Sequence, residues 1–271
     1  ILLNHGLFSF GDSAKQSYQR MIKLVNQAES HLPKSIKLNL NSNQNNNIID
    51  SHTNIALAFI RGVLGKEASR LGYRNKWVFE LRSDKDLIEF VNHPNLIEYS
   101  KRGVATPDHV IRTKAMPWVI DSFPRGENID NSPTEIDSWI TSLNSSLKLY
   151  IKEYDAYFES NNKRFNGGKK QLDPLPRLIA FPGVGLIGIG VTKSAAKITA
   201  DIGQAWVSTI ISAESFGEYR PINLSDTFDL EYWSLEQAKL GKIQEKPFAG
   251  SIVVVTGAGG VIGSSIARQF S

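Results

Sequence analysis

The residue types that could carry chemistry lie in three short segments of this chain. The first is Asn4-His5-Gly6-Leu7, near the N-terminal end. A histidine followed by glycine at the end of a strand can expose an imidazole nitrogen at the rim of a sheet, which suits a metal ligand. A lone histidine is more often structural than ligating, so from these residues alone both interpretations of His5 stay open.

The second segment is a glycine turn near the C-terminal end. The run Ile252–Val255 leads into Thr256-Gly257-Ala258-Gly259-Gly260-Val261-Ile262-Gly263, which has the pattern Thr-Gly-x-x-Gly-x-x-Gly. Such glycines let a strand turn tightly into a helix whose N-terminus faces a pyrophosphate. We therefore predict a dinucleotide site at Gly257, Gly260, Ile262 and Gly263. The alternative is an ordinary glycine turn between a strand and a helix.

The third segment is Thr106–Lys114, in which Asp108, His109, Arg112 and Lys114 fall within seven residues. These side chains could bind a phosphate or help to hold a second metal. The simpler interpretation, which we favour, is a polar turn that leads into a strand with alternating exposed charges. In that case Asp108 caps or braces the turn.

Composition narrows the function further. The 271 residues carry a formal net charge of +4, which is too small and too dispersed to predict binding to nucleic acid or to a membrane surface. The chain has no cysteine, which excludes disulfides, thiolate metal sites and cysteine nucleophiles. No apolar stretch is long enough to span a bilayer and no basic-then-apolar leader precedes Asn4, so we expect a soluble protein without a membrane partner.

The elements that must position these residues indicate an α/β (α+β) protein in several pieces. We predict a strand, turn and strand over Leu2–Gly11 and a helix that Ser13 and Gln16 cap. The polar run that begins at Asn39 is the best linker in the chain. The predicted units are 1–38, a linker at 39–50, a central α/β domain at 51–245 and the truncated start of a Rossmann domain at 246–271.

In the central domain, helical and strand patterns alternate. The sequence predicts helices over Ile55–Leu71, from Pro133 to about Asn161, over Thr192–Ser212 and over Asp226–Leu240, and strands at Lys76–Leu81 and in a pair over Pro182–Gly190. Tyr232 and Trp233 are expected in a core or an interface. We expect the glycine turn to pack loosely, because one Rossmann strand has no sheet to hold it.

Two short segments of the sequence are similar to each other and indicate an internal repeat. Gly6–Gly11 followed by a helix is similar to Gly185–Gly190 followed by a helix, with Ser13 and Thr192 in equivalent capping positions. The central unit is therefore a candidate degenerate repeat. In this alignment His5 corresponds to Val184, so the second copy would have lost its ligand.

The Asn-His-Gly-Leu segment resembles the last metal-binding segment of the class II aldolase/adducin family. The resemblance implies that His5 is one of three zinc ligands. The other two form a His-x-His pair in that family, and none of the remaining histidines makes such a pair: His31, His52, His93 and His109. The glycine turn resembles the cofactor segment of short-chain dehydrogenases/reductases, although Val261 stands where one subgroup has glycine and no Tyr-x-x-x-Lys catalytic pair is present.

Taken together, the segments resemble bifunctional enzymes in which a rhamnulose-1-phosphate aldolase is joined to a short-chain dehydrogenase. The resemblance is most specific at His5–Gly11, Thr106–Thr113, Pro182–Gly190 and Phe228–Gly263. It implies zinc-dependent cleavage of a phosphorylated ketose, NAD-dependent oxidation of the aldehyde product, and a homo-oligomer, with this chain as an inactive joint. The alternatives are a dehydrogenase with a noncatalytic aldolase-like extension and a metal-free, adducin-like assembly module.

Overall fold

The computed structural model describes residues 1–2, 6–32, 51–124, 133–215, 217–240 and 248–270. Within these residues lie helices and four strands, in the following order: α1 Ala14–Glu29, α2 Ser51–Arg70, β1 Val78–Arg82, α3 Lys85–Val91, α4 Leu96–Ser100, α5 Val110–Thr113, β2 Trp118–Val119, α6 Pro133–Asn162, β3 Leu178–Phe181, β4 Gly185–Gly190, α7 Lys193–Glu214, α8 Leu224–Glu231, α9 Ser234–Ala238 and α10 Val261–Phe270. Short 3₁₀ turns precede α5 at Pro107–His109 and follow α6 at Lys163–Phe165.

The four strands form one mixed sheet in the order β1-β4-β3-β2. β4 pairs antiparallel with both β1 and β3, whereas β2 runs parallel to β3. The strand pair predicted over Pro182–Gly190 is only partly correct: β4 lies in that range, but its partner β3 comes before it, and residues 182–184 form the turn that joins the two strands. β2 has only two paired residues and lies at an edge of the sheet.

Helices cover both faces of this sheet, so the central unit has three layers. On one face, α2 and α6 pack on Ile179 and Ile187. On the other, α3 and α7 pack on Leu178 and Leu186. β3 and β4 are apolar and buried on both faces, as expected of strands that lie between two helical layers.

The α7 helix approaches the sheet closely because β4 is rich in glycine. Thr192 caps α7 by accepting from the Ala195 N–H at 3.1 Å. A Cβ added at Gly188 would lie 2.4 Å from the Ala196 carbonyl oxygen, and one added at Gly190 would lie 2.2 Å from the Ala196 nitrogen. The alternation of small residues in β4 thus sets the distance between the strand and the helix.

The Thr106–Lys114 segment differs from its prediction. Instead of a turn that feeds a strand, it forms the 3₁₀ turn at Pro107–His109 and the short helix α5. Val110 and Thr113 are both buried, which is the i, i+3 spacing of a helical face. The strand follows only at Trp118, beyond a left-handed residue at Lys114.

The predicted helix over Asp226–Leu240 is two helices, α8 and α9, which are separated at Tyr232 and Trp233. Tyr232 is buried, as expected, whereas the Trp233 side chain is 46% exposed. Near the N-terminal end, the described part of Leu2–Gly11 holds an isolated bridge between Leu2 and Gly6 rather than two strands. A two-stranded hairpin without further partners is only marginally stable.

The C-terminal segment lacks the predicted strand at Ile252–Val255. These residues pair with no strand among those described, and α10 buries none of its residues. The segment is nevertheless fixed at its start. The Arg61 guanidinium donates to the Gly250 carbonyl oxygen at 2.6 Å, and that of Arg74 donates to the Ala249 carbonyl oxygen at 2.9 Å.

Candidate functional site

Two of the three predicted segments, the glycine turn and Thr106–Lys114, lie wholly among the described residues. His5 lies outside the described residues, so its role as a zinc ligand stays a prediction. Over the residues that are described, no group of three or more histidine, aspartate or glutamate side chains is placed to hold a metal ion. Val184, the counterpart of His5 in the proposed repeat, is an apolar core residue that is 4% exposed.

The glycine turn leads into a helix, as its sequence predicts, but the strand predicted before it is not formed among the described residues. Gly257 adopts a φ of 67°, and its carbonyl oxygen accepts from the Gly260 N–H at 2.9 Å. A Cβ added at Gly263 would lie 2.2 Å from that same carbonyl oxygen. The turn leads directly into α10, and the Ile262 side chain is 78% exposed. Dinucleotide binding at these positions stays a prediction.

The third segment supplies a residue to a buried polar cluster, which we call the Lys114 cluster: Lys114, Tyr154, Glu231 and Tyr232. The Lys114 ammonium donates to the Tyr154 hydroxyl at 3.0 Å and to Glu231 Oε1 at 3.4 Å. The Tyr154 hydroxyl lies 2.9 Å from the same Oε1 and 2.7 Å from the Tyr232 hydroxyl. Because the Tyr154 proton goes to the carboxylate, Tyr232 must donate to Tyr154.

This cluster joins three elements that are distant in sequence. Lys114 follows α5, Tyr154 lies on α6, and Glu231 ends α8. Glu231 is fully buried and Lys114 is 6% exposed. Burial lowers the pKa of Lys114, and the charge of Glu231 opposes that shift. Burial, together with the charge of Glu231, raises the pKa of Tyr154. The same two effects raise the pKa of Tyr232 to about 12. Both tyrosines therefore stay protonated at neutral pH.

Lys114 also has a strained backbone. Its φ of 66° and ψ of 173° lie in a region that essentially only glycine adopts freely. Such a conformation costs on the order of 1–3 kcal/mol and persists where surrounding contacts determine it. The ion pair and hydrogen bonds of the Lys114 cluster supply those contacts.

The other polar residues of the third segment lie beside α9. Arg112 donates to the Lys239 carbonyl oxygen at 3.2 Å, and the Lys239 ammonium lies 3.9 Å from Asp108 Oδ2. Asp108 Oδ1 and His109 Nδ1 are buried without a hydrogen-bond partner among the described residues. The segment therefore does not present Asp108, His109, Arg112 and Lys114 together as a phosphate site.

We predict that His109 makes stability depend on pH. Burial lowers the pKa of His109 below its ordinary value of 6.5, and the charge of Asp108 opposes the shift. Because the folded state resists protonation, this contribution is full above pH 6.5 and is lost as the pH falls through the lowered pKa. In urea unfolding between pH 7 and pH 5, His109→Gln should therefore lose less stability than the parent protein.

His93 serves as the comparison, because burial lowers its pKa as well, against the charges of Glu214 and Glu98. His93→Gln should remove a separate part of the pH dependence, and the double variant should remove both parts. A pH dependence that is the same in all four proteins would contradict the assignment.

A cleft of about 880 Å³ runs along the open edge of β2. One wall is the chain from Lys114 to Asp121, and α6 forms the other with Tyr150, Tyr154 and Tyr157. Ile97 and Ser100 of α4 and Leu224 of α8 complete the lining. This volume lies in the range of small-molecule sites, which are usually apolar with a few placed polar groups.

Sequence reasoning did not single out this cleft. A signal was present, because Tyr150, Tyr154 and Tyr157 are spaced i, i+4 and i+7 and so share one face of a helix. Nothing in that spacing shows what the face meets. The partner Glu231 is 117 residues from Lys114 in sequence, beyond the reach of local patterns.

Comparison with known proteins identifies the family. Residues 51–240, more than half of the chain, match the family described as "Aldolase class II, second domain". The protein therefore belongs to the class II aldolase second-domain family. The mixed α/β fold, with its small four-stranded sheet, is consistent with an aldolase-like domain.

A curated relative extends over the rest of the chain. "Uncharacterized oxidoreductase YuxG" of Bacillus subtilis (strain 168) is 26% identical over 282 residues, which cover 100% of this chain and 38% of the relative. The chain thus spans less than half the length of that relative. No solved structure matches. None of the described helices combines the length and apolar character required to cross a bilayer.

Proposed function

We propose that this chain is the connecting part of a cytoplasmic bifunctional sugar-catabolic enzyme. In this proposal one half cleaves rhamnulose 1-phosphate into dihydroxyacetone phosphate and lactaldehyde with zinc, and the other oxidises the aldehyde with NAD. The observation that carries the proposal is the order along the chain. A class II aldolase second domain at residues 51–240 is followed by the glycine turn at 257–263 and by α10.

The proposed repeat supports an aldolase-like unit at the N-terminal end. Ser13 caps α1 by accepting from the Gln16 N–H at 3.2 Å, as Thr192 caps α7. A Cβ added at Gly11 would lie 2.9 Å from the Ser17 nitrogen. With an offset of 179 residues, Gly11 and Ser17 correspond to Gly190 and Ala196, which make the same close approach.

The residues of the glycine turn fit a dinucleotide better than the described residues fit zinc. Gly257 and Gly263 occupy positions where a side chain would be strained or would clash, so the backbone is open to a pyrophosphate at the start of α10. NAD, when bound, supplies a hydride acceptor. For zinc, His5 is the single ligand proposed in this chain, and the remaining ligands and the catalytic groups would have to come from elsewhere in the protein.

Two other functions stay open. One is a dehydrogenase with a noncatalytic aldolase-like extension, and the other is a metal-free assembly module. The apolar Val184 at the position that corresponds to His5 favours a noncatalytic role for the central unit in every case. In the leading proposal the substrates are a phosphorylated ketose and an aldehyde, the full-length protein is a homo-oligomer, and neither nucleic acid nor a membrane is a partner.

Assays of the full-length protein separate these functions. The bifunctional enzyme should release dihydroxyacetone phosphate from rhamnulose 1-phosphate, detected with a coupled glycerol-phosphate dehydrogenase, and should form NADH from lactaldehyde. NADH formation without ketose cleavage would favour the dehydrogenase with an extension. The absence of both activities would leave the assembly module.

The glycine turn gives a matched pair of variants for the oxidoreductase half. Gly263→Ala should abolish NAD binding in calorimetry, because its Cβ overlaps the Gly257 carbonyl oxygen, while ketose cleavage continues. Gly259→Ala is the control, since no atom lies within 4 Å of an added Cβ there. Equal NAD affinity in both variants would argue against a dinucleotide at this turn.

A further inference from the structure

The two edges of the sheet are protected to different degrees. β2 has only two paired residues and follows Pro117, which has no N–H to donate. A short edge strand and a proline both hinder the addition of another strand. β1, at the opposite edge, pairs with β4 over five residues and contains neither proline nor lysine. Of the two edges, the β1 edge is therefore the better site for a further strand.

The register shows which backbone groups of β1 face outwards. Hydrogen-bonded and non-hydrogen-bonded residue pairs alternate along antiparallel strands. The Ile189 N–H donates at 2.8 Å to the carbonyl oxygen of the residue that precedes β3, so Ile189 turns towards β3 and its neighbour Gly188 turns towards β1. Gly188 is paired with Glu80. The amide and carbonyl groups of Phe79 and Leu81 therefore point away from the sheet.

These outward-facing groups are largely unpaired. The Leu81 carbonyl oxygen has a long contact, 3.4 Å, with the Arg82 guanidinium. No other hydrogen bond to the outward amide or carbonyl groups of Phe79 and Leu81 is formed among the described residues. Unpaired peptide groups along a sheet edge are the groups that an added strand binds.

The side chains of β1 carry a self-complementary pattern of charges. Glu80 and Arg82 lie two residues apart on one face of the strand, with side chains that are 24% and 21% exposed. When two copies of β1 are paired antiparallel about a twofold axis at Leu81, Glu80 of each copy lies opposite Arg82 of the other. That pair is non-hydrogen-bonded, so its side chains approach closely. Moving the axis by one residue, to Glu80, would place two glutamates opposite each other.

The α7 helix adds an apolar residue beside this edge. Arg82 donates to Asp201 of α7 at 2.8 Å, so this side of the helix lies over β1. Ile198 lies one turn before Asp201 on the same side of α7, and its side chain is 40% exposed. Covering an exposed isoleucine is favourable. A second copy of the chain would cover it, because a twofold axis brings the same surface of two chains together.

We propose that β1 pairs with β1 of a second copy of this chain, antiparallel and about a twofold axis at Leu81, so that two four-stranded sheets become continuous. Leu81 then exchanges hydrogen bonds with Leu81 of the second copy, and Phe79 does so with Ser83. The ion pair of Glu80 and Arg82 within each chain becomes part of a network of alternating charges. This proposal rests on the homo-oligomer in the proposed function and not on ketose cleavage or NADH formation.

The test mixes two variants of the full-length protein, each with charges of a single sign at the proposed interface. Glu80→Arg places arginine opposite arginine, and Arg82→Glu places glutamate opposite glutamate. Each variant alone should therefore have half the mass of the parent oligomer in light scattering after size exclusion. In an equimolar mixture every arginine meets a glutamate. The parent mass should then return with equal numbers of the two chains, as native mass spectrometry would show.

A second Glu-x-Arg segment provides the matched control. Glu218 and Arg220 form an exposed ion pair in the loop after α7, outside the sheet. Glu218→Arg and Arg220→Glu should both keep the parent mass. The double reversal of Glu80→Arg with Arg82→Glu keeps opposite charges across the axis and should also keep the parent mass. Comparing it with Glu80→Arg alone decides the question if Arg82→Glu does not fold.

Hydrogen exchange gives a local readout of the same contact. The amides of Phe79 and Leu81 should exchange at least about tenfold more slowly in the parent protein than in Glu80→Arg, because pairing protects the amides of an edge strand. The control variant Glu218→Arg should show the parent rates at both amides.

Three results would overturn the proposal. The first is the parent mass in Glu80→Arg, or a mixture of the two variants that stays at half the mass. The second is equal exchange of the Phe79 and Leu81 amides in the parent protein and in Glu80→Arg. The third is a monomeric parent protein, which would contradict the homo-oligomer as well. The two activities are assayed separately, so their absence and the absence of this interface are distinct results.

Discussion

Glu231→Ala is expected to lower the free energy of unfolding by about 3–5 kcal/mol, because it leaves the buried Lys114 ammonium without its counter-ion. Glu231 is fully buried, and its Oε1 receives hydrogen bonds from both Lys114 and Tyr154. The substitution would also leave the Tyr154 proton without an acceptor. Urea unfolding followed by tryptophan fluorescence at pH 7 measures the loss.

A double variant separates the charge effect from general damage. Lys114→Met with Glu231→Leu should recover more than half of the loss, since removing both partners of a buried pair is often close to neutral. The exposed pair Glu218 and Arg220 is the control, and Glu218→Ala should not change the unfolding midpoint measurably. If Glu231→Ala were as mild as that control, the cluster would not hold α8 to α6.

Gly188→Ala is expected to destabilise the central unit by about 3 kcal/mol, at the upper end of the cost of overpacking a core. The added Cβ would lie 2.4 Å from the Ala196 carbonyl oxygen and 2.5 Å from the Ala200 nitrogen, both backbone atoms of α7. The helix cannot give way by rotating a side chain, so it must move off the sheet. A lower thermal midpoint and a weaker near-ultraviolet circular dichroism signal would report this.

Replacing a glycine in α2 by alanine is expected to change the stability in the opposite direction. Gly62 lies in the interior of that helix, is exposed, and has no atom within 4 Å of an added Cβ. Gly62→Ala should therefore stabilise the protein by about 0.5–1 kcal/mol through helix propensity. If both alanine variants shifted the thermal midpoint in the same direction, the close contact between β4 and α7 would not determine the result.

Local sequence signals predicted the helices that begin at a cap. The helix that starts at Pro133 ends at Asn162, one residue beyond its prediction, and Thr192 caps α7 as its sequence indicates. These signals are short-range: a capping side chain, a proline in the first turn and a periodic apolar face. The strand predicted at Lys76–Leu81 was also close to the observed one, since β1 covers Val78–Arg82.

Features that depend on distant contacts were not predicted. The charges of Thr106–Lys114 suggested a solvated turn, yet Lys114 is buried by α6 and α8, which come later in the chain. The apolar run at Ile252–Val255 favoured a strand, but a strand needs a neighbour, and none of the described strands pairs with it. The cleft likewise requires α4, α6, α8 and β2 to meet. Such sites follow from topology rather than from spacing.

Arg61 and Arg74 fix the start of the C-terminal segment by hydrogen bonds to the backbone at Gly250 and Ala249. Arg61 donates to the Gly250 carbonyl oxygen and also, through Nε, to the Trp77 carbonyl oxygen at 2.8 Å, so this point is fixed to both α2 and the approach to β1. A tether with a fixed origin explores a smaller volume than a free one. The effective concentration of the glycine turn beside the sheet is therefore higher than it would be without this fixed point. Arg61→Ala would lower that effective concentration without altering the turn itself.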